Sequence, residues 1–291
     1  MTCVARTSLL CSAVVAVLLG ATASAGGAGA ANASRVEPAA MPDAGTGTGL
    51  DARTTDLRNR DGIVFREYGR FGYRFQPLLS FAALNGVVSS GDVASARRLA
   101  RALLARVVRR GDALYWEYDF PYHGPAPWGS GFAQAVAAQA LARAGVLLHD
   151  VAFVRAAEAS FRGLRELLLM PLGGGEWVRE YEHTHEAILN AQLQSFISLE
   201  SFAKIVRSPS ARRVVAELDV ATRRLLPQFD GGCWSRYELG GALADRHYHA
   251  YHVELLRRVT VTHREAVWSN TYLRWGRCER LFSTAVPVAP G

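Results

Sequence analysis

A chain of 291 residues, 49% hydrophobic and 20% charged, is long enough to bury one large core or two small ones, and its composition is that of a globular protein rather than a disordered or fibrous one. The formal charge is +7 and the basic residues are mostly arginines. Many of them (Arg97, Arg98, Arg101, Arg106, Arg109, Arg110) are spread along a helical stretch instead of being gathered in a tail, which argues against a nucleic-acid binder and suits an anionic ligand such as an acidic polysaccharide.

Residues 1–25 have the form of a signal peptide: Arg6 is the positive n-region, Leu9 to Leu19 the apolar h-region, and Ala23-Ser24-Ala25 the cleavage site. The apolar run is short for a transmembrane helix, so export is the expected fate and an uncleaved N-terminal anchor the alternative. The protein is expected to be secreted or extracytoplasmic, touching membrane only through that segment. Cys3 and Cys11 would leave with it. Cys233 and Cys278 would then form one disulfide or remain two separate buried thiols.

Residues 26–60, rich in Ala, Gly, Thr and Pro, read as a flexible linker. Residues 61–283 form the expected domain and 284–291 a tail. Apolar positions Val93, Leu99, Leu103, Leu104, Val107 and Val108 predict an amphipathic helix over 92–110, capped by Asp92. Further helices are predicted over 130–145, 151–169, 185–207, 209–226, 246–260 and 264–282. Pro171 with Gly173–Gly175, and Pro227 with Gly231 and Gly232, break them into pairs. The aromatic-dense stretch 113–122 (A-L-Y-W-E-Y-D-F-P-Y) predicts a short β-hairpin or extended loop. Antiparallel helix pairs with aromatic and polar residues crowded into the loops suit an all-α (α/α) toroid, or incomplete α/α barrel, with its cleft at one end. A helical solenoid is the alternative, and no repeat period supports it.

Four clusters could carry chemistry. In P-W-G-S-G-F-A-Q (127–134), Ser130 reads as a helix N-cap or a site residue, and Trp128 as a sugar-stacking platform or core. G-G-G-E-W-V-R-E-Y-E-H-T-H-E (173–186) mixes carboxylates with Trp177 and Tyr181, which a purely solvated face would not need. C-W-S-R-Y-E-L (233–239) follows a Gly-Gly break. R-H-Y-H-A-Y-H-V-E-L-L (246–256) is rich in histidine. An H-x-H pair on a helix points its rings about 200° apart, so His183/His185 and His247/His249 make poor metal pairs. His249 and His252 share a face, but no strong zinc signature results and no metal is expected. Tyr248 and His252, four apart, also share a face, with Leu255 and Val259 continuing it, as a cleft rim over a packed core would. Tyrosine is a poor base at its usual pKa of about 10, and a nearby cation improves it by favouring the phenolate.

Taken together, these four clusters resemble the C-terminal catalytic domain of the D-glucuronyl C5-epimerase family, the heparosan and heparan sulfate epimerases. The resemblance runs from about Tyr73 to Leu281 and rests on blocks in the family's order: Trp128-Gly129-Ser130-Gly131-Phe132-Ala133-Gln134; Trp177, Glu180-Tyr181 and Leu189-Asn190; Arg236-Tyr237-Glu238-Leu239; and Tyr248-His249-x-x-His252. It implies inversion of C5 of D-glucuronate to L-iduronate within an anionic polysaccharide, without redox cofactor or metal. Removing the C5 proton makes an enolate-like dianion that needs stabilising, and inversion needs acid–base groups on opposite faces of the ring. By motif match Glu180, Tyr181, Tyr237 and Tyr248 are the catalytic candidates, with Tyr248 and Glu180 as the opposed pair. Trp128, Gln134, Arg179, Asn190, Arg236, His249 and His252 are the substrate-binding candidates.

Departures from the family pattern are Glu182 for a proline, Ala191 for a glycine, His247 for an aspartate, and Gly240 for an arginine that would bind the carboxylate. Arg236, Arg179 or Arg246 would have to replace that cation. No counterpart of the vertebrate-type N-terminal β domain is read, which leaves the oligomeric state open. The departures point to a different uronate polymer or to lost activity. The alternatives are a uronate polysaccharide lyase, a non-catalytic polysaccharide-binding protein, and a helical secreted protein whose aromatics are all core.

Overall fold

The computed structural model describes residues 56–122 and 124–285, the last four of these by backbone alone. The expected signal peptide, Cys3, Cys11 and most of the linker lie outside the described residues. Eight helices among the described residues form four hairpins: α1 (Pro77–Ser89) with α2 (Val93–Leu104), α3 (Gly131–Leu148) with α4 (Val151–Leu167), α5 (Leu189–Val206) with α6 (Pro209–Leu225), and α7 (Arg246–Val259) with α8 (Ala266–Ala285). α1 packs on α3, α3 on α5 and α5 on α7, so the odd-numbered helices form one layer, and each even-numbered helix packs on the partner preceding it. This is the (α/α) toroid arrangement.

The sequence explains the layering. α3 is apolar on nearly every side and by length and composition could cross a membrane, yet 83% of that stretch is buried inside the protein; it is a core helix. α2, α4 and α6 carry one apolar stripe each and bury it on the odd-numbered layer. Side-chain caps start the helices: Asp92, Ser130, Asp150, Ser208 and Asp245 each accept a first-turn N–H. Two of the tight hairpin turns use the same device, a left-handed residue followed by a cap: His149 (φ 51°) before Asp150 and Arg207 (φ 54°) before Ser208.

Short turns at one end leave the long connections, 105–130, 168–188 and 226–245, at the other. These connect to the N-termini of α3, α5 and α7 and hold most of the strands. β4 (Val108–Arg110) pairs with β5 (Ala113–Tyr115), β6 (Glu117–Tyr118) with β7 (Trp128–Gly129), and β8 (Leu169–Leu172) with β9 (Gly175–Val178). Two expectations are corrected here, and a third is filled in. The helix predicted over 92–110 ends at Leu104, and Val108 turns back as an exposed strand across Gly111 (φ 58°). The stretch 113–122 contributes to two ribbons instead of one hairpin. The glycines after Pro171 close the β8–β9 hairpin, where Gly173 (φ 62°) and Gly174 (φ 80°) supply the two positive φ angles of a tight turn.

The linker boundary also moves. Asp56–Arg58, read as linker, is β1, which pairs with β2 (Val64–Glu67) and through it with β3 (Tyr73–Phe75). Asp56 accepts from Arg66 Nε (2.8 Å) and Nη2 (3.0 Å), and Arg66 is 1% exposed. Because Arg66 would stay buried without its carboxylate, Asp56→Ala is expected to lower stability by about 3 kcal/mol in denaturant titration; a linker residue would change nothing. At the other end, α8 runs to Ala285, two residues into the expected tail.

Cys233 and Cys278 form a disulfide (Cα–Cα 6.1 Å) that ties the 226–245 connection to α8. Replacing both by serine is expected to lower stability by about 2–4 kcal/mol, seen as a fall in thermal midpoint; an unchanged midpoint would contradict the clamp.

Candidate functional site

Each catalytic candidate sits at the end of the toroid where the long connections meet the N-termini of α3, α5 and α7. Glu180 and Tyr181 follow β9. Their strand is fixed by Gly131 N–H donating to Arg179 O (2.8 Å) and Arg179 N–H donating to Leu168 O (2.9 Å). A Cβ on Gly131 would collide with the Arg179 carbonyl oxygen, so the close approach of these two segments in this chain requires glycine there. Glu182, standing where the family has proline, is built in: its Oε2 accepts from Gly129 N–H (2.7 Å), and Arg110 ion-pairs with both Glu182 (3.4 Å) and Glu117.

Tyr237 lies on the 226–245 connection, which runs against the start of α5 through Leu189 N–H to Tyr237 O (3.1 Å) and Leu239 N–H to Ala187 O (3.0 Å). Tyr248 is in the first turn of α7, its N–H donating to the capping Asp245 (2.8 Å). The Tyr237 and Tyr248 rings meet edge to face at 4.7 Å. Tyr181 packs against Tyr122 (5.2 Å) and Trp128 (5.6 Å).

Glu180 is central to this group. It is 2% exposed, and burial, opposed by a hydrogen bond from Tyr181, pushes its carboxyl up to about 8. Its charge in turn raises Tyr181, Tyr237 and Tyr248, each already held well above the ordinary tyrosine value by burial. Four buried polar atoms here have no hydrogen-bond partner in the protein: Glu180 Oε2, Asn190 Oδ1 and the hydroxyls of Tyr237 and Tyr248. The two hydroxyls influence each other's ionisation, but the contact does not reach hydrogen-bond geometry. Buried polar groups are normally paired, and four orphans in one cluster describe a place that a polar ligand would complete.

The substrate-binding candidates divide. Asn190, on the first turn of α5 and next to Leu189, whose N–H donates to Tyr237 O, is buried with Oδ1 unpaired. The Arg179 guanidinium reaches Glu182 O (3.5 Å) and His185 (3.3 Å), and Arg236 donates to Gly241 O (2.6 Å) within its own loop. Four candidates are corrected to interior roles. Trp128 is 3% exposed, stacks on Tyr118 at 4.1 Å and donates to Phe120 O (2.8 Å), so it backs Tyr181 instead of offering a sugar platform. Gln134 braces β5 and α4 by donating to Leu114 O and Ser160 O. His249 and His252 are fully buried and meet at Ser235. Ser130 is the α3 N-cap.

Sequence reasoning missed Tyr122, whose charge would raise both Tyr181 and Tyr237. Aromatic density over 113–122 was the only signal for it. It also missed Arg66, whose guanidinium favours the Tyr248 phenolate from β2; no local pattern links a residue so far upstream to α7. Among the described residues neither histidine pair belongs to a group of potential metal ligands. The group that exists, Asp219, His263 and Glu265, contains no site candidate, and its Asp219 is ion-paired with Arg223 (2.7 Å). A surface groove of about 640 Å³ along α2, lined by Asp61, Arg97, Arg98 and Arg101 among others, also contains none of the candidates.

Comparison with known proteins agrees with the fold and the motifs. A family 8 glycosyl hydrolase, the endoglucanase Cel10 from Klebsiella pneumoniae, superposes with a TM-score of 0.54 at 13% identity, covering 79% of this chain and 76% of that one. A family 8 endo-β-1,4-glucanase from an Achatina fulica gut metagenomic library gives 0.54 at 13% identity, covering 76% and 74%. At that identity the likeness concerns the fold alone. No curated protein matches the sequence significantly. The family model described as the D-glucuronyl C5-epimerase C-terminus matches residues 110–277, a span that takes in Tyr122, Glu180, Tyr181, Tyr237 and Tyr248. With more than half its length matched, the chain belongs to the D-glucuronyl C5-epimerase C-terminal family.

Proposed function

We infer that this carbohydrate epimerase inverts C5 of D-glucuronate to L-iduronate within an anionic polysaccharide, outside the cytoplasm, using Glu180 and Tyr248 as the opposed acid–base pair. The observation that carries the reading is the cluster of unpaired buried atoms on Glu180, Asn190, Tyr237 and Tyr248. Ionised Glu180 takes the C5 proton from one face of the ring, leaving an enolate-like dianion on the uronate carboxylate. The Tyr248 hydroxyl gives its proton to C5 on the opposite face. Glu180 is then protonated and Tyr248 is a phenolate, and a proton must return between them. Tyr181, whose hydroxyl acts on Glu180, and Tyr237, facing Tyr248, are placed to pass it. In the reverse direction the roles exchange.

Two features favour the dianion. The positive ends of α3, α5 and α7 all lie at this end of the toroid. Arg66, a buried guanidinium shared with Asp56, favours the Tyr248 phenolate, while Arg236 and Arg179 are turned to Gly241 O and to Glu182 O and His185. The disulfide fits an oxidising compartment, and the net charge of +7 suits a polyanionic substrate.

Incubation with heparosan or another glucuronan, followed by nuclear magnetic resonance of the polymer, tests the reading. Iduronate signals are the expected result. An unsaturated, ultraviolet-absorbing product would mean a lyase, which begins with the same deprotonation and then eliminates at C4. Tight binding with unchanged polymer would mean a non-catalytic binding protein.

A further inference from the structure

We propose that Ser235 is a positioning residue that fixes the separation of Tyr237 and Tyr248 by bridging the connection carrying one to the helix carrying the other. The inference rests on the reading of Tyr248 as an acid–base group. Ser235 is fully buried, two residues before Tyr237. Its Oγ lies 2.9 Å from His249 Nδ1 and 2.8 Å from His252 Nδ1, and its backbone N–H donates to His249 Nδ1 (3.0 Å). His249 is next to Tyr248 on α7, and His252 is one turn further along the same side.

The hydroxyl is chemically required. His249 Nδ1 already accepts a backbone N–H, so that ring carries its proton on Nε2. One proton serves the Ser235–His252 contact, whichever atom bears it, and a methyl group in place of the hydroxyl would leave His252 Nδ1 unpaired in the interior. Burial lowers both imidazoles, to about 4 and about 3, so they stay neutral and act through geometry.

The neighbouring anchors show why this bridge sets the tyrosine pair. Cys233 is held to α8 by the disulfide. Trp234 stacks on His249 at 3.8 Å and donates to Ala244 O (2.7 Å). Three consecutive residues just before Tyr237 are therefore fastened, and Ser235 is the one that reaches α7 by hydrogen bonds. The Tyr237 and Tyr248 hydroxyls have no partners of their own, so their 4.7 Å ring separation is set from behind, through these anchors.

The test compares Ser235→Ala with His252→Asn, whose amide falls where Nδ1 was, and His252→Gln, whose amide falls where Nε2 was. Ser235→Ala and His252→Gln are expected to lower kcat for C5 inversion by about 10- to 100-fold with KM within about twofold, since small displacements of reacting groups have effects of that size. His252→Asn is expected to keep most of kcat. A fluorine resonance from 3-fluorotyrosine placed at position 248 should shift or split in Ser235→Ala and His252→Gln, and stay in place in His252→Asn. Should Ser235→Ala fail to fold, the two His252 variants carry the comparison. Wild-type kcat in Ser235→Ala, equal losses in His252→Asn and His252→Gln, or a fluorine signal unmoved by any of them would overturn the proposal. The fluorine measurement needs no turnover, so an inactive wild type with the expected shifts would sink the epimerase reading and leave the positioning role standing.

Discussion

Tyr248→Phe is expected to lower C5 proton exchange by about 10³–10⁴-fold while leaving the protein folded. The rate loss follows because the hydroxyl is the group that delivers a proton to one face of the sugar, and removing a positioned general acid has effects of this order. The retained fold follows from the hydroxyl's surroundings. It is buried in a residue 4% exposed and makes no hydrogen bond within the protein. Deleting an orphaned buried polar atom removes a desolvation penalty and breaks no contact, so the thermal midpoint should hold or rise slightly. A phenylalanine variant that unfolds would mean the hydroxyl is structural. One that exchanges at the wild-type rate would remove Tyr248 from the chemistry.

Glu180→Gln is expected to abolish exchange to a similar degree and to make the protein more stable at alkaline pH. The wild-type carboxyl titrates at about 8 in the folded state because it is buried, against about 4.3 in an unfolded chain. Below the lower value the carboxyl is neutral in both states and contributes no difference. As pH rises through the interval the unfolded chain ionises freely while the folded one resists, so wild-type stability falls until Glu180 itself ionises near 8. Glutamine never ionises. Its advantage should therefore be absent near pH 4, grow up to about pH 8 and level off above. The same titration shapes the rate: with Glu180 as the base, exchange should climb roughly tenfold per pH unit below 8 and then flatten. Chemical denaturation across pH, run beside the rate profile, checks both. A stability gap independent of pH would show that Glu180 is not the buried titrating group. The combination of lost activity and gained stability is the trade expected of a strained functional group.

How legible was this in the sequence? The outer helices were, because α2, α4 and α6 carry apolar residues at helical spacing. α1 was not resolved as a separate helix, since its near-continuous apolar sequence has no amphipathic signal. The β1–β3 sheet was missed because strands of three or four residues are too short for alternation to emerge, and the Asp56–Arg66 pair that stabilises it joins residues ten apart. For the site, motif order placed Glu180, Tyr181, Tyr237 and Tyr248, and the structure brings them together. Helical spacing correctly put His252 on the Tyr248 side, but spacing gives direction and not depth. Trp234, arriving from another connection, covers one face of His249, and the Ser235 hydroxyl meets Nδ1 of both histidines, so their contacts are to that connection. Gln134 was misassigned for the same reason: its place in the motif gives no depth, and its amide turns toward Leu114 and Ser160.

Incubation of the full protein with heparosan or another glucuronate polymer in heavy water tests the central claim most directly. Proton abstraction and return at C5 predicts deuterium at C5 of both glucuronate and newly formed iduronate, accumulating with time and lost in the Tyr248→Phe and Glu180→Gln variants. A wild-type protein that leaves every uronate polymer offered free of deuterium at C5 would contradict the account.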